Sequence, residues 1–529
     1  MLKKAGELER ARWGLLLLVA LAALLLAATP PQVAHAQRQS ALAKVAAATP
    51  GRQVTVIVQL RRGVDPATAR ALIEAAGGEV VGELPIINGL VAKLPAKTAK
   101  ALARQPGVRA VSLNSKAKPQ ALVTFDPNKM ATAYNQSAKS SNLWNSATGK
   151  GVGVAVIDTG IAGDLPSFRT SQTNGASRVV QSVVTNPYAT TATDAYGHGT
   201  HVAGIIAGND GSRPKSDPLF GKYAGAAPDA NLISIKAGDD QGNATVLDVI
   251  YGLQFAIDHK TDYNIRVVNL SLESSDPQSY KTDPLDAAVE AAWFNGIVVV
   301  AAAGNRGSGS DAVKYAPGND PYVITVGAVD DKNTKGVTDD QITSWSSRGT
   351  TQDGFAKPDL YAPGAHIVST LAPNSAFATM CPSCVRDGGY IQAGGTSMAA
   401  PIISGIVAAI LEKRPTWTPN QVKGALLSTT RTITSGREVD ALNAYSASAD
   451  KLVSNTGLTP NQYVDAASGA IDYTRSSWSR SSWSTAPSDL SAGWARSSWS
   501  CNCSTDASGD VISTRSSWSR SSWSTDWSK

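Results

Sequence analysis

Between residues 150 and 445 the chain alternates short, unbroken apolar runs with stretches in which apolar residues recur at helical spacing. Runs of this kind are typical of strands buried on both faces, and their alternation with helices indicates a parallel sheet. We therefore predict an α/β fold for residues 150–445, with a doubly wound, mostly parallel sheet. Its strands are expected at residues 152–157, 231–236, 267–270, 297–303 and 322–326.

A smaller unit is predicted before this sheet, over residues 37–118. There, β-branched runs alternate with helical patterns and predict a small α+β, ferredoxin-like domain of β-α-β-α-β order. The expected elements are a strand at 54–58, a helix at 66–76, a strand at 89–93, a helix at 97–105 and a strand at 108–113. Residues 119–149 are polar and are expected to be a linker or the start of a mature chain.

The C-terminal part of the chain is repetitive. After a predicted linker at residues 446–473, Arg-Ser-Ser-Trp-Ser occurs five times within residues 474–529. Serines bury too little apolar area to offset the entropy of ordering the chain, so we expect no packed core there. Tryptophan and arginine stack well on sugar rings and cations, which favours an anchor to the cell envelope. A dispensable or secretion-related tail is the alternative.

The first 36 residues have the pattern of an export signal. Basic residues precede an apolar run from Leu15 to Ala28, and Ala34 and Ala36 supply the small residues that a signal peptidase requires. We predict a signal peptide at residues 1–36, a secreted, extracellular protein and no membrane segment once the signal is removed. A membrane anchor is the alternative, but it needs about 20 apolar residues and this run is shorter.

The net charge of +6 on 529 residues would suggest nucleic-acid binding if it were spread over the chain. Residues 37–118 alone hold thirteen basic and four acidic residues, and residues 1–36 add a further +2. About −5 is therefore left for residues 119–529. Nucleic acid is not an expected partner of the mature protein, since its binding depends on basic surfaces.

Four cysteines in an exported protein indicate disulfides, with the pairing left open. They are Cys381, Cys384, Cys501 and Cys503. A four-thiolate zinc site is the alternative, but the Cys-x-Cys spacing of the second pair suits zinc poorly.

Two glycine-rich segments carry candidate reacting groups. Asp158 begins Asp-Thr-Gly directly after a predicted strand, at the edge where open parallel sheets present their active sites. His198, in Gly-His-Gly-Thr-His, begins a predicted helix and is a candidate general base, whereas His201 is expected to pack inside that helix. An aspartic protease would need a second Asp-Thr/Ser-Gly, which only a homodimer would supply. Zinc proteases use His-Glu-x-x-His rather than His-x-x-His.

Ser397 lies in Gly-Gly-Thr-Ser-Met-Ala-Ala-Pro, at the beginning of a predicted apolar helix. At a helix N-terminus the amide of this serine is able to donate to an oxyanion, and the helix dipole favours negative charge. Gly-Thr-Ser before a helix is equally typical of an ordinary N-cap, so this segment alone is ambiguous.

Together, the three motifs and the order Asp158, His198, Ser397 resemble the subtilisin-like serine proteases, the subtilases. The resemblance covers about residues 145–445. It implies that Ser397 attacks a peptide carbonyl, that His198 transfers the proton and that Asp158 orients the imidazole. It also implies that Asn305, after an apolar strand, donates to the oxyanion. By the same resemblance, the substrate groove is lined by Ser271, Leu272, Ala303 and Gly304.

Residues 37–118 resemble the inhibitory propeptide of that family, which assists folding and is removed by the enzyme itself. The resemblance implies that no cofactor or metal is required for the chemistry. Structural calcium is compatible with it, but the sequence places no calcium site, since Asp164 is followed by Leu-Pro-Ser where the family commonly has an acidic ligand. Glu273 and Arg306 depart from the family pattern and are expected near the cleft, which leaves specificity open.

The sequence therefore predicts a secreted serine endopeptidase that acts on protein or peptide substrates. We expect it to be made as a self-processed zymogen with its own propeptide as inhibitor. The alternative is a surface-binding protein in which a protease-like scaffold carries the tail. The joint presence of Asp158, His198, Ser397 and Asn305 favours the enzyme, because a binding module does not need four reacting groups.

Overall fold

The computed structural model describes residues 41–61, 63–119, 133–170, 175–212, 214, 216–448, 453–462, 464, 503–505 and 511–513. For residues 116–119, 503–505 and 511–513 only the backbone is described. The predicted signal peptide and most of the repetitive tail lie outside these residues. Within the tail, residues 503–505 and 511–513 pair as antiparallel strands.

The N-terminal unit, residues 41–113, is built on a four-stranded antiparallel sheet of order β2-β3-β1-β4. Its elements are α1 (Ala41–Ala48), β1 (Gln53–Leu60), α2 (Pro66–Ala75), β2 (Glu79–Leu84), β3 (Gly89–Pro95), α3 (Ala96–Leu102) and β4 (Val108–Leu113). Every strand and helix expected here is present. Sequence analysis missed β2, because only its last residue is fully buried and polar positions interrupt its apolar run.

The main sheet has the order β21-β22-β17-β13-β12-β10-β6-β8-β7, parallel from β7 to β22. The strands after β4 are β5 (Lys116–Pro119), β6 (Gly153–Asp158), β7 (Val179–Val184), β8 (Asn231–Lys236), β9 (Ala244–Thr245), β10 (Ile265–Leu270), β11 (Leu272–Ser274), β12 (Val298–Ala302), β13 (Ile324–Asp330), β14 (Gln341–Ile342), β15 (Gly349–Thr350), β16 (Ala356–Lys357), β17 (Leu360–Pro363), β18 (Ile367–Thr370), β19 (Val385–Arg386), β20 (Tyr390–Ala393), β21 (Arg431–Ile433), β22 (Gly436–Glu438), β23 (Cys503–Thr505) and β24 (Val511–Ser513). The five predicted strands correspond to β6, β8, β10, β12 and β13, which confirms the mostly parallel α/β sheet.

Helices cover this sheet on both faces. They are α4 (Tyr134–Ser137), α5 (His198–Ala207), α6 (Val246–Asp258), α7 (Pro284–Phe294), α8 (Ala376–Met380), α9 (Thr396–Lys413), α10 (Pro419–Ser428) and α11 (Ala441–Ser446). Gly252 of α6 lies against Ile157, whereas Gly199 of α5 lies against Asp158. Consecutive strand residues point to opposite faces, so α5 and α6 lie on opposite sides of the sheet and the fold is doubly wound.

Local sequence determines where the α6 and α7 helices begin. Thr245 and Asp248 form a capping box at the start of α6. Asp283 accepts hydrogen bonds from the N–H groups of Leu285 and Asp286, with Pro284 as the first residue of α7. In the part of the chain that is described, α9 is the one helix long and apolar enough to span a membrane, and it is buried in the core.

The N-terminal unit packs on the α6 and α7 side of the main unit. Ile86 and Ile87 are fully buried and belong to the same apolar cluster as the side chains of these two helices. Two backbone segments add to this packing. Strand β5 lies between β11 and β9, and residues 453–462, within the predicted linker, lie against α7, where the Asn461 N–H donates to Glu290 Oε2 (2.7 Å).

Candidate active site

The carboxyl edge of the main sheet brings Asp158 and His198 together. Asp158 is the last residue of β6, His198 is the first residue of α5, and both side chains are buried. His198 Nδ1 lies 2.7 Å from Asp158 Oδ1, and the Thr159 N–H donates to the same oxygen (2.8 Å). Because the carboxylate accepts the Nδ1 proton, Nε2 is the nitrogen available as a base.

Two glycines let the start of α5 lie directly on the Asp-Thr-Gly turn. Gly197 has φ +105°, a left-handed conformation that side chains disfavour. A side chain at Gly199 would collide with the carbonyl oxygen of Gly160 and would approach Asp158 Cβ (3.2 Å). Gly199 therefore permits the close contact between the start of α5 and Asp158.

Asp194, which sequence analysis missed, anchors the same helix start. This buried carboxylate accepts hydrogen bonds from the Thr159 hydroxyl (2.9 Å) and from the N–H groups of Gly197 and Thr200 (both 2.7 Å). Burial raises its pKa above the usual range. A signal was available, since an acidic residue just before a helix often binds its free N–H groups.

Ser397 is the second residue of α9 and is fully buried. Its hydroxyl donates to the carbonyl oxygen of Ser271 (3.1 Å), and Ser271 Oγ donates to the Ser397 carbonyl (2.9 Å). His198 Nε2 has no hydrogen-bond partner among the described residues. In the structure, Asp158 contacts His198, but the Ser397 hydroxyl points to Ser271 and not to His198. The hydrogen bond between a nucleophile and its base is often long or poorly aligned in the absence of substrate.

Asn305 follows β12 and is fixed against the start of α9. Its side-chain oxygen accepts hydrogen bonds from the Thr396 N–H (3.0 Å) and the Thr396 hydroxyl (3.1 Å). The same hydroxyl accepts the Gly304 N–H (3.1 Å). Because the oxygen accepts these bonds, the NH₂ group is the part of the Asn305 side chain that is able to donate.

The four predicted groove residues lie on two adjacent chain segments. Ser271 and Leu272 follow β10, and Ala303 and Gly304 follow β12, the neighbouring parallel strand. Ser271 contacts Ser397, and Leu272 pairs with Pro119 of β5. Strand β5 therefore lies along the first of these two segments, which contains Ser271 and Leu272.

Glu273 and Arg306, the two residues that depart from the family pattern, pair with each other. Arg306 Nη2 lies 2.8 Å from Glu273 Oε1, and Arg306 Nε donates to the same oxygen (2.9 Å). The guanidinium also lies 3.8 Å from the centroid of the Tyr315 ring. Glu273 Oε2 lies against Gly304, where it would meet any added side chain. The two opposite charges therefore form an ion pair beside Gly304, one of the predicted groove residues.

A model of the subtilase family matches residues 149–464, more than half of the chain. The chain belongs to the subtilase family. A second model, described as a putative peptidase inhibitor domain, matches residues 32–114 of this subtilase.

The relatives of this subtilase include two proteases of Bacillus subtilis (strain 168). Serine protease AprX is 43% identical over 285 residues, which is 53% of this chain and 61% of that protein, so the chain spans less than two thirds of AprX. Subtilisin E is 33% identical over 393 residues, 74% of this chain and 88% of that protein. A solved structure of fervidolysin from Fervidobacterium pennivorans, a keratinolytic enzyme related to subtilisin, matches with a TM-score of 0.58 and 25% identity, covering 76% of this chain and 62% of that one.

The described part of this subtilase contains no group of three or more His, Cys, Asp or Glu side chains arranged to hold a metal ion. Asp164 is exposed and lies 3.8 Å from Arg169. His201 is a packed residue, since its Nε2 donates to the Ile391 carbonyl (3.0 Å) and burial lowers its pKa to about 3.

Among the described residues, Cys381 and Cys384 form a disulfide, with Cα atoms 5.3 Å apart. The side chains of Cys501 and Cys503 lie outside the described residues, so their pairing stays a prediction.

Proposed function

We propose that this protein is a secreted serine endopeptidase, made as a zymogen, in which Ser397, His198 and Asp158 cleave peptide bonds. The observation that carries the proposal is the 2.7 Å contact between His198 Nδ1 and Asp158 Oδ1 at the carboxyl edge of the sheet. Ser397 lies in the first turn of helix α9, and membership of the subtilase family supports the same function.

The reaction begins with a side-chain rotation. The Ser397 hydroxyl turns from the Ser271 carbonyl towards His198 Nε2, which has no other partner among the residues described. Ser397 Oγ then attacks the peptide carbonyl while Nε2 takes its proton and later returns it to the leaving amine. Asp158 holds the tautomer and stabilises the imidazolium that forms.

The oxyanion is stabilised by two donors that are in place before the reaction. The NH₂ group of Asn305 is oriented by Thr396, and the N–H of Ser397 lies in the first turn of α9, where the helix dipole favours negative charge. These steps use groups of the chain alone, so we propose no cofactor for the chemistry.

Secretion and inhibition rest on separate features. Secretion is inferred from the predicted signal peptide. Inhibition by the N-terminal unit is supported by β5, which pairs with β11 directly after Ser271 and with β9 on its other side. Anchoring to the cell envelope through the repeats remains a prediction from composition.

The proposal is tested by labelling with a serine-directed fluorophosphonate and by casein hydrolysis. Replacing Ser397 by Ala should abolish labelling and lower turnover by about a million-fold, the scale known from triad deletions in subtilisin. Ser428→Ala, at the exposed end of α10, is the matched control and should leave both unchanged. If Ser397→Ala protein, made without other proteases, still hydrolyses casein, the proposal is wrong.

Asn305→Ala tests the oxyanion role separately. It should lower kcat by about 10² to 10³ and change KM little, the range known for the corresponding donor in subtilisin, because the charge develops only in the transition state. A loss confined to KM would make Asn305 a substrate-binding residue instead.

A further inference from the structure

The side chain of Glu273 connects the two segments that carry the predicted groove residues. Glu273 directly follows Leu272 in β11, so its backbone belongs to the first segment, which also contains Ser271. Its carboxylate reaches the second segment, because a β-carbon at Gly304 would lie only 2.5 Å from Glu273 Oε2. The carboxylate therefore occupies the space that the missing side chain of Gly304 leaves.

Arg306 holds the carboxylate in this position. Its Nε donates to Glu273 Oε1 (2.9 Å), and its Nη2 lies 2.8 Å from the same oxygen. The arginine is itself fixed, since its backbone N–H donates to Ser347 Oγ (2.9 Å) and its guanidinium lies 3.8 Å from the centroid of the Tyr315 ring. Charge-assisted hydrogen bonds are stronger than neutral ones, so the Glu273 side chain has little freedom to swing away from Gly304.

Gly304 is fixed relative to the proposed reacting groups. Its N–H donates to the Thr396 hydroxyl (3.1 Å), and its carbonyl oxygen accepts the Ser347 N–H (2.9 Å). Its φ of +100° is a left-handed conformation that favours glycine. Asn305, the proposed oxyanion donor, is the next residue in the chain. The wall formed by Gly304 and the Glu273 carboxylate therefore lies directly beside the proposed oxyanion donor.

The substrate residue whose carbonyl is attacked binds beside this wall in the proposed reaction. Its carbonyl carbon bonds to Ser397 Oγ, and its carbonyl oxygen faces Asn305. Ser397 Oγ lies 3.1 Å from the carbonyl oxygen of Ser271, in the first segment. Asn305 directly follows the second segment. The side chain of that substrate residue, two bonds from its carbonyl carbon, therefore lies between the two segments that Glu273 connects.

We propose that Glu273 fills this space and makes the enzyme selective for a small residue, such as glycine, alanine or serine, directly before the bond that is cut. A large apolar side chain would have to displace the carboxylate or bury it away from water, which costs free energy. A basic side chain gains little, since Arg306 already pairs with the carboxylate and repels a second cation. The inference rests on the proposed function, because it concerns the substrate of the same nucleophile.

The test measures kcat/KM of enzyme prepared from the full chain on short peptides that differ only in the residue before the cut bond, which is Ala, Phe or Lys. We expect the Ala peptide to exceed the other two by at least about ten-fold, the lower end of what one poorly fitting side chain costs. In casein digests the new C-termini should likewise be small residues. A smaller ratio, or a preference for Phe or Lys, overturns the inference and leaves the protease function intact. Absence of Ser397-dependent hydrolysis of the peptides and of casein overturns both.

Variants of Glu273 separate its volume from its charge. Glu273→Ala should raise the Phe-to-Ala ratio of kcat/KM by about ten-fold or more, whereas Glu273→Gln, which fills the same space, should leave it near the wild-type value. Asp262→Ala is the matched control, since it removes a carboxylate paired with His259 at the opposite edge of the sheet, before β10 begins. An unchanged ratio in Glu273→Ala, or an equal rise in Glu273→Gln, overturns the inference. If Glu273→Ala fails to fold, the wild-type comparison of the three peptides still decides the proposal.

Discussion

Asp194, at the active-site edge, and Asp286, in helix α7, are both buried carboxyls, but among the described residues only Asp194 has hydrogen-bond partners. Asp194 accepts three hydrogen bonds from the two segments that meet at His198. Asp286, in the first turn of α7, is equally buried, yet neither of its oxygens has a partner among the described residues. Burial raises the pKa of both carboxyls, and for Asp286 the nearby acids Asp283, Asp320 and Glu290 raise it further.

Asp194 and Asp286 therefore contribute differently to the folded protein. A buried carboxylate with all its partners holds the backbone around it in one arrangement, which is what a reacting imidazole needs. A buried carboxyl without partners costs stability whenever it is ionised. Burial also raises the pKa of Asp283 to about 7 and that of Asp320 to about 6.

The largest expected effect in this comparison comes from Asp158, the acid at the active-site edge that contacts His198. Asp158→Asn leaves a side chain of the same shape that no longer holds the Nδ1–H tautomer of His198, and kcat should fall by about 10⁴. Steady-state hydrolysis of a short peptide measures this, with the exposed Asp164→Asn as the matched control. Retention of a tenth or more of wild-type kcat would mean that His198 does not depend on Asp158.

A smaller loss is expected from Asp194→Asn. The amide loses acceptor capacity, so an N–H of Gly197 or Thr200 is left unpaired and the start of α5 shifts. We expect a loss of about 1–3 kcal/mol in unfolding free energy and a fall in kcat of about ten- to a hundred-fold, with KM little changed. A lower Tm with unchanged kcat would show that Asp194 stabilises the helix without positioning His198.

The parts of the site that sequence analysis located are those carried by contiguous motifs. Asp158, His198 and Ser397 each lie in a glycine-rich segment beside a predicted element, and the structure places Asp158 and His198 at the predicted strand and helix ends. The buried strands were predicted for a similar reason, since each is a continuous apolar run. Strand β7 was missed because only its last two residues are fully buried, which weakens the pattern.

The remaining features depend on contacts between distant segments, which no local pattern records. The role of Asp194 arises from its contact with Thr159, 35 residues earlier in the chain. The insertion of β5 between β9 and β11 joins segments more than a hundred residues apart. The acids of α7 appear in sequence as an ordinary polar helix start, and only the packing of Asn461 and its neighbours over Glu290 shows that they are buried.

The smallest expected effect comes from Asp286, whose oxygens have no partner among the described residues. Its replacement is expected to stabilise the folded protein, whereas the replacement of Asp194 is expected to destabilise it. The folded-state pKa of Asp286 is raised, so its contribution to stability is present below the unfolded-state value of about 3.9 and is lost as pH rises through the folded-state pKa. Asp286→Asn has nearly the same shape and carries no charge. It should therefore raise Tm at pH 8 by roughly 1–2 °C, the shift expected for about 1 kcal/mol in a domain the size of residues 149–464, and change it little near pH 4.

Thermal unfolding is best measured in Ser397→Ala protein, where self-digestion is absent. Asp164→Asn, which removes an exposed carboxylate, is the matched control and should show no such dependence on pH. A stabilisation by Asp286→Asn that is equal at pH 4 and pH 8 would mean that packing, not charge, sets the effect. Destabilisation at pH 8 would show that a favourable interaction holds the Asp286 carboxylate. Asp194 and Asp286 would then both be buried acids that are stabilised when ionised, and the contrast between them would fail.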